Sequence, residues 1–140
     1  MRAVLDPNVV IFALLSPDGA PAQTLRTWLQ GGFELVASPR LLAELERALA
    51  YPKIRSRVKA DEARAFVEWL SASAQVVEDP DDPPSVRSRD RDDDYLIALA
   101  EHQRAVLVSG DAHLLELADR IPVFDAAGFL ARFVPEPPPR

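Results

Sequence analysis

Residues 2–9 read Arg-Ala-Val-Leu-Asp-Pro-Asn-Val, and they give the first indication of how the chain folds. The apolar run that ends at Leu5 is short and uninterrupted, which predicts a buried strand. Pro7 follows it closely and suits the first turn of a helix, because the N–H that proline lacks would have no helical partner there. We therefore predict that a strand over residues 2–5 passes almost directly into a helix over residues 8–15.

The same alternation of strand and helix continues along the chain. Ser38 and Pro39 give the clearest helix start, since serine is a good cap and proline suits the first helical position. Leucines between Leu41 and Leu49 then recur at the spacing of a core-facing stripe. Further helices are predicted over residues 22–29, 61–72, 93–103, 112–118 and 128–134, and further strands over residues 33–37, 74–77, 105–108 and 122–124. Strands that alternate with helices indicate an α/β fold, with a parallel sheet covered on both faces.

The composition is typical of a globular domain. The chain has 140 residues, 48% of them hydrophobic and 27% charged, so we expect a single domain over residues 1–134 and a Pro-rich, disordered tail over residues 135–140. No apolar run approaches the roughly 20 residues of a membrane span, and we expect no signal peptide. The absence of cysteine excludes disulfides and thiolate catalysis, and it is compatible with a cytoplasmic location. With a net charge of −6, binding of nucleic acid would need a local basic surface or a metal site.

Acidic residues lie where the predicted strands end or where the following helices begin. Asp6 closes the first strand, Glu44 lies in the helix after the second, residues 92–94 open a later helix, and Asp111 follows the fourth strand. The carboxyl ends of parallel strands share one edge of the sheet, so these carboxylates can converge there. Clustered carboxylates raise one another's pKa unless a cation neutralises them, and hard oxygen ligands suit Mg²⁺ or Mn²⁺. The pattern predicts a metal-dependent reaction on phosphate.

Each acid also has an ordinary structural explanation. Asp6 is as well placed to cap the following helix as to bind a metal, and Glu44 taken alone would be a solvated helix residue. Two neighbouring polar side chains favour the functional interpretation. Asn8 could hold the Asp6 carboxylate or a metal-bound water, and Ser109 adds a hydroxyl at a strand end.

The cluster at residues 92–94 offers two candidates for the site. Acids there complement the dipole of the helix that follows, but three in a row exceed that need. Asp93 precedes Ile97 and Ala100 by four and seven residues and so shares the core-facing stripe. Asp94 points about 100° away. We prefer Asp93 and keep Asp94 as the alternative.

The ordered set of motifs resembles that of PIN-domain ribonucleases. Residues 4–9, Val-Leu-Asp-Pro-Asn-Val, resemble the opening Asp-x-Asn motif, and residues 38–45, Ser-Pro-Arg-Leu-Leu-Ala-Glu-Leu, resemble the second motif. Residues 89–96, Arg-Asp-Arg-Asp-Asp-Asp-Tyr-Leu, are similar to the third and residues 108–111, Val-Ser-Gly-Asp, to the fourth. The likeness extends over residues 2–130. It is greatest to small bacterial PIN proteins described as toxin components of toxin–antitoxin pairs, near the VapC toxins.

This resemblance implies a three-layer α/β/α fold with a central parallel sheet of about four to five strands. It also implies an Mg²⁺- or Mn²⁺-dependent endoribonuclease, with RNA as substrate, an antitoxin as partner, a homodimeric state and a cytoplasmic location. The residues it assigns to catalysis and metal binding are Asp6, Glu44, Asp93 and Asp111, supported by Asn8 and Ser109. Ser109 stands where the family more often has threonine, and Arg91 replaces a common proline.

Arginines are expected to bring RNA to this acidic chain. Basic residues concentrate between residues 40 and 59, and arginine alternates along the loop before the third acidic cluster. Contacts with RNA phosphates are expected from Arg40, Arg55, Arg57, Arg89 and Arg91. A solvated surface that balances nearby acids explains the same residues equally well.

Three other classes of protein share parts of the pattern. A PIN-like module that only binds RNA or protein would keep the fold without catalysis. A receiver-type phosphoacceptor domain has a similar layout but needs a lysine after a late strand, and the only lysines are Lys53 and Lys59. A haloacid-dehalogenase-like phosphatase needs Asp-x-Asp, whereas position 8 is asparagine.

Overall fold

The first strand lies at the centre of the sheet. In the computed structural model, which describes residues 1–134, β1 (Arg2–Leu5) is one of five parallel strands. The others are β2 (Glu34–Ala37), β3 (Gln75–Val76), β4 (Val106–Val108) and β5 (Val123–Phe124). The strand order β3-β2-β1-β4-β5 confirms the predicted α/β fold. The predicted tail at residues 135–140 lies outside the described residues.

Helices cover both faces of the sheet. They are α1 (Pro7–Leu15), α2 (Ala20–Leu29), α3 (Pro39–Leu49), α4 (Pro52–Arg55), α5 (Ala60–Ser73), α6 (Asp94–Gln103), α7 (Ala112–Leu115) and α8 (Ala126–Phe133), and a 3₁₀ turn at Arg91–Asp93 precedes α6. Ala3 and Leu5 belong to the core shared with α1, α3, α5 and α8, whereas Val4 belongs to the core shared with α6 and α7. β1 is thus buried on both faces, as a three-layer arrangement requires. In the described part of the chain, no helix combines the length and apolarity needed to cross a membrane.

The structure differs from the predicted elements mainly at helix ends. The sequence pattern does not predict α4, in which Pro52 occupies the first turn. α8 begins at Ala126 rather than at residue 128, since Asp125 caps it by accepting the Gly128 N–H at 2.7 Å. α7 ends at Leu115, before the predicted residue 118. β3 keeps only two residues of the predicted strand at 74–77.

The strand order creates a crevice between β1 and β4. From β1 the chain crosses to β2 and β3 on one side, and later returns to β4 and β5 on the other. In open parallel sheets, ligands bind at such a switch point, outside the carboxyl ends of the strands. Leu5 pairs with Val108 at these ends, so the residues that follow both strands are neighbours.

Candidate active site

Asp6 is the buried acid at this crevice. Its backbone N–H donates to the Val108 carbonyl at 2.9 Å, which extends the pairing of β1 with β4. Its carboxylate accepts the Asn8 N–H on Oδ1 at 3.0 Å and the Ser109 hydroxyl on Oδ2 at 2.7 Å. Burial raises the pKa of Asp6, and these two hydrogen bonds oppose that rise. Asp6 therefore caps α1 and also presents a carboxylate to the crevice.

Ser109 connects Asp6 with Asp111. While its hydroxyl donates to Asp6, its Oγ accepts the Asp111 N–H at 3.0 Å. Asp111 in turn accepts the His113 N–H on Oδ1 at 2.8 Å and so caps α7. The fully buried hydroxyl of Ser109 thereby holds the turn after β4 against the end of β1.

Asp93 joins Asp111 from the start of α6. The Asp93 carboxyl group lies close enough to Asp111 for that neighbour to raise its pKa. Burial, a hydrogen bond with Asp111, and the charges of Asp111, Asp6 and Asp90 raise the pKa of Asp93 to about 7. No donor among the described residues reaches the buried Oδ2 of Asp93. Asp93 is therefore short of hydrogen-bond donors, whereas Asp111 keeps the His113 N–H.

Asp94 faces a different part of the molecule. Its carboxylate accepts the Ser88 N–H on Oδ1 at 2.8 Å, and its Oδ2 lies 3.5 Å from the Arg87 guanidinium. These contacts attach the long loop after β3 to α6. The structure thus places Asp93, and not Asp94, with the other carboxylates, although the role of Asp93 stays a prediction.

Glu44 and Tyr95 complete the wall of the crevice. Glu44 lies on α3 and forms an ion pair with Arg47 one turn further on. Burial first, and then the charges of Asp6, Glu44 and Asp93, raise the pKa of Tyr95 above its ordinary value. Because burial and these neighbouring charges disfavour ionisation, the Tyr95 hydroxyl stays protonated beside the acids.

Tyr95 is a residue of the site that the sequence pattern did not predict. A signal was present, since it is the only aromatic residue in the otherwise mostly aliphatic α6 and follows the acidic cluster directly. The Arg40 guanidinium lies 4.5 Å from the centre of the Tyr95 ring, a cation–π contact. This contact brings one of the predicted RNA-binding arginines to the rim of the site.

The other predicted RNA-binding arginines lie elsewhere. Arg55 donates to the Leu49 carbonyl and Arg57 to the Leu15 carbonyl, at the last residues of α3 and α1. Arg89 pairs with Glu116 at 2.9 Å, and Arg91 is exposed in the 3₁₀ turn that leads to Asp93. Arg55, Arg57 and Arg89 thus already have partners within the protein, and the contact of all four arginines with RNA stays a prediction.

Metal binding depends on how the carboxylates can move. Within residues 1–134, no three acidic or histidine side chains are already arranged to hold a metal ion. Among the acids of the site, Asp111 affects the pKa of Asp93 more strongly than Asp6 does. Carboxylate oxygens have more lone pairs than these hydrogen bonds use, so each of these acids keeps the capacity to bind a cation.

Comparisons with known proteins agree with this architecture. The chain is 29% identical over 119 residues to the uncharacterized protein MJ1680 of Methanocaldococcus jannaschii, a match covering 85% of this chain and 76% of that protein. Its fold is similar to that of PAE2754 from Pyrobaculum aerophilum, with a TM-score of 0.65, 23% identity, and coverage of 95% of this chain and 89% of that one. It is also similar to a structure of VapBC2 from Rickettsia felis bound to a DNA fragment from their promoter, with a TM-score of 0.58, 16% identity, and coverage of 89% and 98%. The family model of the PIN domain matches residues 2–113. The chain belongs to the PIN domain family.

Proposed function

We propose that this PIN domain is a divalent-metal-dependent endoribonuclease that hydrolyses RNA phosphodiester bonds at the crevice between β1 and β4. The convergence of three carboxylates carries the proposal: Ser109 links Asp6 to the Asp111 backbone, and both of these acids act on Asp93. Three acids so placed repel one another at neutral pH, and a cation would relieve that repulsion.

The donor set fits Mg²⁺ or Mn²⁺. Mg²⁺ is usually bound by one or two carboxylates together with waters and substrate phosphates, so a complete protein cage is not required. Asp93 and Asp111 would be direct ligands, Asp6 would bind directly or through water, and Glu44 would bind from α3. When bound, the ion supplies a water of lowered pKa and stabilises charge on the phosphate.

The neighbouring side chains have distinct tasks in this proposal. Ser109 keeps Asp6 aimed into the crevice through its 2.7 Å hydrogen bond. The Tyr95 hydroxyl donates to a phosphate oxygen or to a carboxylate. Arg40, held over the Tyr95 ring, contacts a phosphate and attracts the RNA to an acidic protein. Asn8 supports the Asp6 carboxylate or a bound water.

We extend the proposal to the biological setting. The fold likeness to VapBC2 of Rickettsia felis supports a toxin that pairs with an antitoxin. A homodimeric state and a cytoplasmic location are further parts of the proposal. The test is co-expression with the products of neighbouring genes, which should include a small protein that binds the chain tightly and inhibits RNA cleavage.

The catalytic proposal is tested with purified protein, a labelled RNA, and Mg²⁺ or Mn²⁺. Asp93→Asn should lower cleavage by at least about 100-fold, because even residues that only support metal ligands cost about 10- to 100-fold when removed. Asp92→Asn is the matched control, because Asp92 is exposed in the same turn. This variant should cleave RNA as fast as the unmodified protein. Cleavage that persists in EDTA, or in both Asp93→Asn and Asp6→Asn, would contradict the proposal.

The second candidate function is a PIN-like module that binds RNA or protein without cleaving RNA. The ion pair of Glu44 with Arg47 favours it, because the pair occupies one of the proposed metal ligands. Calorimetric titration with Mn²⁺ separates the two functions. Binding that is lost in Asp93→Asn supports the nuclease, whereas no binding to the unmodified protein supports the module that does not cleave RNA.

A further inference from the structure

A cavity of about 370 Å³ opens beside the carboxylates, on the side of α1. It shares Asp111 and Asn8 with the candidate active site and extends between the first residues of α2 and α8. An RNA strand with one phosphate at the carboxylates would therefore present a neighbouring nucleoside to this cavity.

Phe12 provides an aromatic surface in this cavity. It lies one helical turn after Asn8, so both side chains project from the same face of α1. Phe12 is 57% exposed, whereas Val10, Ile11 and Ala13 around it are buried. An exposed aromatic ring beside a nucleic-acid path is the group on which unpaired bases stack.

The polar groups of the cavity favour a base over a phosphate. Asp111 and Asp125 contribute carboxylates, and Asn8 contributes an amide. Carboxylates repel phosphate but accept hydrogen bonds from the exocyclic amino groups of bases. Small apolar residues form much of the remaining wall, which leaves room for a flat ring: Ala20, Pro21, Ala126 and Ala127.

We propose that this cavity is a nucleobase pocket for the RNA substrate, in which Phe12 stacks on a base and Asp125 accepts a hydrogen bond from its amino group. The inference rests on the proposed ribonuclease function. Uracil has no exocyclic amino group, so adenine, cytosine and guanine are favoured over uracil at one position next to the cleaved bond. The pocket would thus set which base is preferred next to the cleaved bond, while the carboxylates at the strand ends would catalyse the cleavage.

Binding is measured first, by fluorescence anisotropy with labelled hexamers of adenylate, cytidylate and uridylate. All variants carry Asp93→Asn, which prevents cleavage and does not line the cavity. Adding Phe12→Ala should weaken adenylate binding about tenfold, because one aromatic–base stack is lost. Phe12→Trp should restore the binding. Tyr51→Ala is the matched control, because Tyr51 is 56% exposed and lies outside the cavity. Equal adenylate binding with and without Phe12→Ala would overturn the pocket.

Cleavage of a random RNA pool, followed by sequencing of the ends, measures the preference directly. The unmodified protein should disfavour uracil at one flanking position, and Asp125→Asn should lose that discrimination while keeping the α8 cap, since asparagine also caps well. Cleavage without base preference, in a protein that keeps its metal dependence, would overturn the pocket and leave the nuclease function intact. Conversely, adenylate binding that depends on Phe12, together with no metal-dependent cleavage by the unmodified protein, would support the pocket and contradict the nuclease function.

Discussion

Asp93 differs from the other carboxylates of the crevice in what it does for the fold. Asp6 and Asp111 each cap a helix, by accepting the N–H groups of Asn8 and His113. Asp93 stands at the cap position of α6, yet its side chain makes no capping hydrogen bond within the described structure. Its burial next to Asp111 therefore opposes folding when no cation is present.

Replacing Asp93 by asparagine should stabilise the metal-free protein. The pKa of Asp93 is about 7 in the folded state against its ordinary value of 3.8, so ionisation lowers the stability of the folded state as pH rises between these values. The stabilising effect of Asp93→Asn should accordingly be small near pH 4 and full above about pH 7. The difference in unfolding temperature between the variant and the unmodified protein, measured in EDTA from pH 4 to pH 8, reports this effect. Each kcal/mol of added stability should raise the unfolding temperature by about 3 °C.

The exposed neighbour gives the control for this experiment. Asp92→Asn removes the same charge from the same turn, but Asp92 is exposed, so its effect should vary little over this pH range. If the unfolding temperatures of Asp93→Asn and the unmodified protein differed by the same amount at every pH, the neighbouring acids would not be destabilising the ionised Asp93.

At the scale of the elements, the well-predicted helix starts are those with local signals. The Oγ of Ser38 accepts the Leu41 N–H at 3.2 Å and Pro39 is the first helical residue, as the pattern predicts. A second cap of α3 is not predictable in this way. Asp79 accepts the Arg40 N–H at 2.9 Å, although the two residues are 39 positions apart in the chain. No local sequence pattern could therefore predict this contact.

Removal of this distant cap should loosen the loop after β3. Asp79→Ala leaves the Arg40 N–H without its acceptor, and we expect a loss of about 1 kcal/mol in the free energy of unfolding. Hydrogen exchange should also become faster over residues 78–90, because Asp79 ties this loop to α3. Asp81→Ala, at an exposed position of the same loop, should change neither quantity. Equal exchange in both variants would show that other contacts hold the loop.

At the scale of the whole molecule, the strand order is what the sequence patterns leave open. They predict a parallel sheet with acids after its strands, but not that β1 and β4 are neighbours. That adjacency brings Ser109 to Asp6 across 103 positions of the chain. The place of Tyr95 beside the acids depends on the same packing, which is why residue types alone did not reveal it.

Saturating Mn²⁺ should raise the unfolding temperature of the whole domain. A ligand that binds only the folded state contributes about 2.7 kcal/mol at 100 times its Kd. Asp111→Asn should abolish most of this rise in unfolding temperature, because it removes one of the paired carboxylates. Asp119→Asn is the control: Asp119 is exposed and lies beyond α7, so this variant should show the full rise. Calorimetric scans at matched ionic strength measure the shift. The same rise in Asp111→Asn would place the ion elsewhere.

Both edges of the sheet, in the described part of the chain, are strands of only two residues, β3 and β5. An exposed edge strand offers free backbone groups to another chain, and long, flat edges are templates for aggregation. Edges this short give an incoming strand few hydrogen bonds. Self-association of this protein should therefore proceed through helical surfaces rather than by continuing the sheet from one molecule into the next.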